Sequence, residues 1–433
     1  MIIRHRTDPR FTGVAAAVFV LTAAATALVA QYVSSAEHPA IAYSKSTPTD
    51  AVARLQESVE RGDTVLEFDQ ERGYLPSVLR ALNVSVSSQS LVFSRTSLQV
   101  DRIAPWTPRA LYFNDQVYVG WAQNGPIMEI ASVDPKLGAV FYTVTQESAT
   151  KPTITRQTRT CLQCHDSASS TGGVPGFIMR STIVDRHGYP VQSDLGTTTD
   201  QSPIAERWGG WYVTGTIPTP HLGNSKTPKL SSEMGNVHSY LAGTTWTTSG
   251  TVTDLSKAFD TAPYLTPDSD AVALLVLAHQ TYVHNLITAV GYQARTAPED
   301  TMRLQGAAER LVQGMLFSRE AELPSGIVGT SSYAADFVKT GPRDRNGRSL
   351  RDLQLDRRVF RHPLSYLIYS DSFDALPLVA KQYLYRRLHE VLDGRDQRPQ
   401  FAHLSAADRL AIREILEDTK PDFAHGVVPS AAR

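Results

Sequence analysis

At 433 residues, with hydrophobic residues at 42% and charged residues at 20%, the chain has the make-up of an ordinary globular protein, of a length that usually divides into two or three domains. A formal net charge of −1 gives no overall basic field and speaks against a nucleic-acid partner. The only two cysteines lie three residues apart, which excludes a disulfide framework joining distant segments.

The N-terminus reads as an export segment. Arg4, Arg6 and Arg10 precede an apolar run from Val14 to Ala30, and small residues follow. This order suits a signal peptide over residues 1–36, with Ser34 and Ala36 placed for cleavage after Ala36. The apolar run also approaches the roughly 20 residues that span a bilayer, so a retained membrane anchor is the other reading. No later stretch reads as membrane-spanning. The body is therefore expected in the periplasm or another extracytoplasmic space, tied to the inner membrane at most through its N-terminus.

"TPTDAVARLQESVERGD" (Thr47 to Asp63) predicts a helix capped by Asp50, with Val52, Leu55 and Val59 as its apolar stripe. "LPSVLRALN" predicts a second, shorter one. From about Ser90 the period changes to two. Asn114-Asp115, Asn124-Gly125 and Asp134 to Gly138 are turn signals between β-branched and aromatic runs, which predicts three or four antiparallel strands. Two more strands are expected in "GFIMRSTIV" and "ERWGGWYVTGT", with a turn at Asp185 to Gly188 between the two segments.

From Asp268 the chain turns helical. "DSDAVALLVLAHQTYVHNLITAVGYQAR" is apolar on more than one side and predicts a buried central helix. Helices are also expected in "PEDTMRLQGAAERLVQGMLFS", in "DALPLVAKQYLYRRLHEVLDG" and in "LSAADRLAIREILEDTKP", the last with a capping box of Ser405 and Asp408. The fold class is α+β: a β-rich half over 37–260 with antiparallel hairpins and a helical half over 261–433. These form either two domains or one continuous domain.

Cys161, Cys164 and His165 in "TCLQCHDSASS" form C-x-x-C-H. Two thiols at this spacing add across the vinyl groups on one edge of a haem, and the adjacent imidazole becomes the proximal iron ligand. Such attachment takes place after export, in agreement with the N-terminus. A zinc site needs further ligands, and no second cysteine pair exists. A thioredoxin-like pair sits at a strand-to-helix junction of a βαβ unit, whereas the strands upstream here read as hairpins. The reading is one covalently attached haem c, held by Cys161 and Cys164 with His165 on the iron.

Through these three residues the chain resembles c-type cytochromes. The roughly 125 residues of body ahead of the motif are unlike the compact small cytochrome c fold. More widely, "SLVFSRTSLQVDRIAP", "RALYFNDQVYVGW", "TCLQCHDSASSTGGVPGFIMRS" and "AERWGGWYVTGT" are similar to an uncharacterised family of exported bacterial proteins with a cytochrome c domain. That resemblance implies haem and export but no reaction. Members tend to carry a histidine-methionine pair where this chain has His221-Leu222.

Function then turns on the sixth iron position. Met179 and His221 are the distal candidates, the first on a predicted strand and the second in a polar loop; Met234 and His238 are further ones. His279 and His284, five apart on the central helix, face different directions. A second strong ligand implies one-electron transfer with a periplasmic redox partner. An open face implies either a haem oxidoreductase acting on peroxide or a small nitrogen compound, or a sensor of a diatomic ligand. The arginines from Arg343 to Arg361, interleaved with Asp344, Asp352 and Asp356, read as an internally paired surface, with haem propionates as the alternative partner of one or two. No Ser-His-Asp order, P-loop or metal-hydrolase motif is visible.

Overall fold

The computed structural model describes residues 35–191, 196–226 and 248–425. The export segment up to residue 34 lies outside the described residues, as do Met234 and His238. The predicted first helix forms as α1 (Ala51–Arg61), with Asp50 accepting from the N–H groups of Val52 and Ala53, and Val52, Leu55 and Val59 buried. It is followed by α2 (Leu75–Ala81).

Six strands then run in chain order as an antiparallel sheet: β1 (Ser90–Val92), β2 (Arg109–Phe113), β3 (Val117–Trp121), β4 (Ile127–Asp134), β5 (Gly138–Thr145) and β6 (Ile154–Gln157). The turns fall where the sequence placed them. Asn114 Oδ1 accepts from Gln116 and Val117, and Asp134 Oδ1 from Lys136 and Leu137, so short polar side chains close both hairpins. Because side chains alternate, the sheet has two buried faces. Tyr112, Val119, Ile130 and Tyr142 pack with α1 and α2, while Phe113, Tyr118, Val133 and Phe141 join the helical half.

The two segments after the cysteines depart from expectation. Neither "GFIMRSTIV" nor "ERWGGWYVTGT" forms an extended strand; only the last two residues of the second enter β7 (Gly215–His221), which pairs with β8 (Thr248–Val252). Their backbones bond to several different segments, as in Thr198 N to Met179 O, Thr182 N to Gly209 O and Phe93 N to Gly210 O. The close approach requires glycine: a Cβ on Gly209 would stand 2.7 Å from Thr182 O.

A single helical turn at the cysteines forms α3 (Leu162–His165), and the long central helix is α4 (Ala271–Thr296). Asp270 caps α4, and twenty of its twenty-six residues are buried. By length and composition it would qualify as a membrane span, so the expectation that no later stretch reaches that threshold was too strict. Its neighbours fill the core instead. Later helices include α5 (Thr301–Met315), α6 (Tyr333–Lys339), α7 (Leu378–Leu392), α8 (Ala406–Thr419) and α9 (Pro421–His425), with a single helical turn at Asp371–Asp374 before α7. Asp300, not Pro298, starts α5, and the Ser405–Asp408 capping box of α8 is present. One apolar cluster joins the sheet face to α4, α5, α7 and α8.

Candidate functional site

Strand β6 delivers the chain to the cysteine segment, and the one-turn helix α3 brings Cys161, Cys164 and His165 onto neighbouring positions of a single turn. Cys161 is half-buried and Cys164 exposed; both are free thiols. Burial, and then the nearby Glu129 carboxylate, push the Cys161 thiol up to about 11. It is a protonated thiol at neutral pH, unlike the low-pKa cysteine of a redox pair. The preceding sheet is antiparallel, so the βαβ setting of such a pair is absent too.

His165 is held from outside its own helix. Its Nδ1 lies 2.9 Å from Gly176 O, and Gly176 N donates back to His165 O at 2.9 Å. Burial keeps the imidazole pKa below its ordinary value, so the ring is neutral, its Nδ1–H donates to the carbonyl, and Nε2 keeps a lone pair. This is the tautomer a metal-ligating histidine needs. Phe141 packs on the ring at 4.7 Å. Gly176 is in turn fixed by Asn285 of α4, whose amide accepts from Phe177 N and donates to Phe177 O, both at 2.8 Å. A Cβ on Gly176 would meet Asn285 Oδ1 at 2.4 Å. Glycine is therefore what lets the amide reach the chain that carries the carbonyl.

His165, Cys161 and Cys164 open onto a cavity of about 300 Å³. Its walls come from the sheet face that the helical half covers, from the loop after β1, and from α4. Leu111, Phe141, Phe177, Trp211 and Leu277 supply apolar surface, and Arg109, Glu129 and Arg180 supply charge. Arg109 and Glu129 stand on β2 and β4 and pair at 2.6 Å across β3, over Gly120, which has no side chain to separate them. Arg109 Nε and Glu129 Oε1 are buried there without a partner. In comparisons with known proteins, no family model, curated protein or solved structure matches the chain. What the site offers is its chemistry: two thiols, an imidazole and a cavity with largely apolar walls.

That chemistry fits a covalently held haem. Two thiols flank the opening, a neutral imidazole has its second nitrogen uncommitted, the walls are largely apolar, and two arginines are in reach for carboxylate groups. Among the described residues no group of three or more His, Cys, Asp and Glu side chains could hold a metal ion.

Of the distal candidates, Met179 lines the cavity and is buried. His221 does not line it. Its Nδ1 accepts from Gly223 N at 3.0 Å, its ring packs edge-on against Trp208, and burial lowers its pKa to about 4. His284 donates from Nε2 to Asp115 O at 2.9 Å. His279 lies between Asp200 Oδ2 and Ser365 Oγ, at 2.9 Å each. This Asp–His–Ser chain was invisible in the sequence because its members are scattered over the chain; all three are buried and none lines the cavity, so they form a core network. Trp211 lines the cavity and Trp208 does not. The arginine-rich segment pairs internally or with neighbouring acids, as in Arg348 with Asp344 and Arg358 with Asp408. The cavity's own arginines, Arg109 and Arg180, lie on segments read for their strand pattern, and no local signal marked either arginine itself.

Proposed function

We propose that the chain is an exported c-type monohaem protein that exchanges single electrons with a periplasmic redox partner. The observation that carries this is the clamp on His165: Nδ1 is committed to Gly176 O while Nε2 is left for a ligand at a cavity that both cysteines share. Each thiol S–H would add across one vinyl C=C, forming one C–S and one C–H bond. When bound, the haem supplies a reversible one-electron couple. Cys161 and Cys164 would hold it, Gly176 and Asn285 keep the imidazole oriented, Phe141 packs on the imidazole, and Arg109 and Arg180, which line the same cavity, would be the candidates to pair with its carboxylates.

Arg109 Nε and Glu129 Oε1 favour a second reading, a haem enzyme or sensor with an open distal face, because unpartnered buried polar atoms at a cavity are available to a small polar ligand. Met179 decides between the two. The test is the visible spectrum of the exported protein, oxidised and reduced, with and without carbon monoxide. Electron transfer predicts a low-spin reduced spectrum indifferent to carbon monoxide, and Met179→Leu should then create carbon monoxide binding. A wild-type spectrum that already shifts with carbon monoxide selects the open face. No haem signal overturns both. His165→Ala should keep the haem attached through the cysteines while changing its spectrum.

A further inference from the structure

The cavity at His165 meets the surface beside the exposed Cys164, and Thr96, Ser97 and Leu98 of the loop after β1 form part of its wall. Ten large hydrophobic side chains are exposed among the described residues, and four of them belong to this loop and the turn braced against it. Leu98 (49% exposed), Val100 (39%) and Trp106 (52%) stand on the loop, and Tyr189 (52%) follows the turn at Asp185 to Gly188.

Arg95 ties the two segments together. Its backbone N–H donates to Gly188 O at 3.0 Å, its Nε to His187 O at 3.0 Å and its Nη1 to Val100 O at 3.2 Å. The same guanidinium lies 4.4 Å from the centre of the Tyr189 ring. The planar fork of arginine allows one side chain to bond to both backbones and still cover a ring. Trp106 meets His187 edge-on, with centroids 6.0 Å apart. The four apolar residues therefore form one braced patch that adjoins the cavity wall at Leu98, unlike scattered exposed side chains.

The rim of the patch is basic. Arg102 and Arg186 are exposed, as is Arg159 two residues before Cys161, and none of the three forms an ion pair among the described residues. The same segments carry two acids, Asp101 and Asp185, and Asp185 is occupied within its turn by the N–H groups of His187 and Tyr189. With Arg95, four arginines against two aspartates make this face positive on a chain whose net charge is −1.

We propose that this patch is where the redox partner docks, and that the partner is a one-electron protein whose exchange face is apolar at its centre and ringed by carboxylates. The inference rests on the haem reading above. Apolar surface at the centre excludes water between the two redox groups, and the arginines steer an acidic rim into place. Four apolar side chains suit the small, short-lived contacts of electron-transfer pairs, which bury less than ~1,200 Å² in all. In each encounter one electron passes between the two centres: the haem goes from ferrous to ferric as the partner's centre is reduced by one, and no bond is made or broken.

The test follows haem oxidation by stopped flow in the full chain, with an acidic plastocyanin in its Cu(II) form as the probe. The second-order rate should fall at least tenfold as salt rises from ~10 to ~300 mM, because opposite charges attract and are screened. Arg102→Glu combined with Arg186→Glu should slow the low-salt rate at least tenfold. Trp106→Ser should slow it at least threefold at both salt concentrations, and in both variants the visible spectrum and the haem potential should stay at wild type. Wild-type rates in both variants, or a rate that rises with salt, overturn the proposal. So does sedimentation with vesicles of phosphatidylglycerol and phosphatidylcholine that Trp106→Ser abolishes while its plastocyanin rate stays at wild type, since the patch is then a lipid contact. A protein without haem gives no oxidation signal and overturns the haem reading instead. Calorimetry of plastocyanin binding to the wild type and the charge variant at ~10 mM salt still reports on the surface in that case.

Discussion

Asn285 touches neither a cysteine nor His165, yet the site hangs on its amide. Two hydrogen bonds at 2.8 Å fix Phe177, and the neighbouring Gly176 carbonyl fixes the imidazole. Asn285→Leu keeps the volume but leaves a buried N–H and C=O unpaired, so urea unfolding should report a loss of about 2–4 kcal/mol. On the proposed haem reading, the visible spectrum should broaden as His165 loses its fixed orientation; an unchanged spectrum would deny Asn285 a positioning role. Glu320 gives a second residue-scale prediction. Burial raises its carboxyl to about 8 from an ordinary 4.5, against the opposing pull of Arg207 and Arg358. Between those values the native state holds a proton that the unfolded chain has lost. Stability should therefore fall as pH rises from 6.5 to 8, by up to about 1 kcal/mol per pH unit, and level off above. The window avoids His221 and His284, whose lowered values act below 6.5. Urea midpoints for wild type and Glu320→Gln test this, and the variant should show no such decline.

At the scale of elements, the helices and hairpins were legible where local chemistry suffices. Asp50, Ser405 with Asp408, and the Asn and Asp turns each act within a few residues of their own position. The segments after the cysteines were not legible as strands or otherwise, because their backbone partners are as distant as Phe93, Thr198 and Leu91. Asp270 shows both kinds of information in one side chain. It caps α4 through Val272 and Ala273, as its sequence position suggests, and it also accepts from Ser331 N at 2.8 Å and Ser331 Oγ at 2.9 Å. An ordinary cap contributes about 1 kcal/mol. Asp270→Ala should cost about 3 kcal/mol or more in chemical unfolding, since buried donors on two elements lose a charged acceptor; a loss near 1 would mean the Ser331 contact adds nothing.

For the whole molecule, the N-terminal join makes a checkable statement about processing. Ala36 is buried, Ser35 Oγ donates to Gly173 O at 2.9 Å, and Tyr43 N donates to Ala36 O. Cleavage after Ala36 would remove both residues from a fold that uses them, next to the loop that follows the cysteines. On the proposed export, N-terminal sequencing of the mature protein should therefore find a first residue no later than Ser35, and a chain starting at Glu37 would refute this. The sequence by itself determined the fold class, the helix caps, the hairpin turns and the cysteine-histidine motif, because each depends on residues close together in the chain. Only the tertiary structure decided that Gly176 and Asn285 orient His165, that Met179 and not His221 lines the cavity, and that Arg109 meets Glu129 over Gly120. Those relations join residues on different elements, and which distant side chains meet is set by how the sheet packs on α4, not by any local pattern.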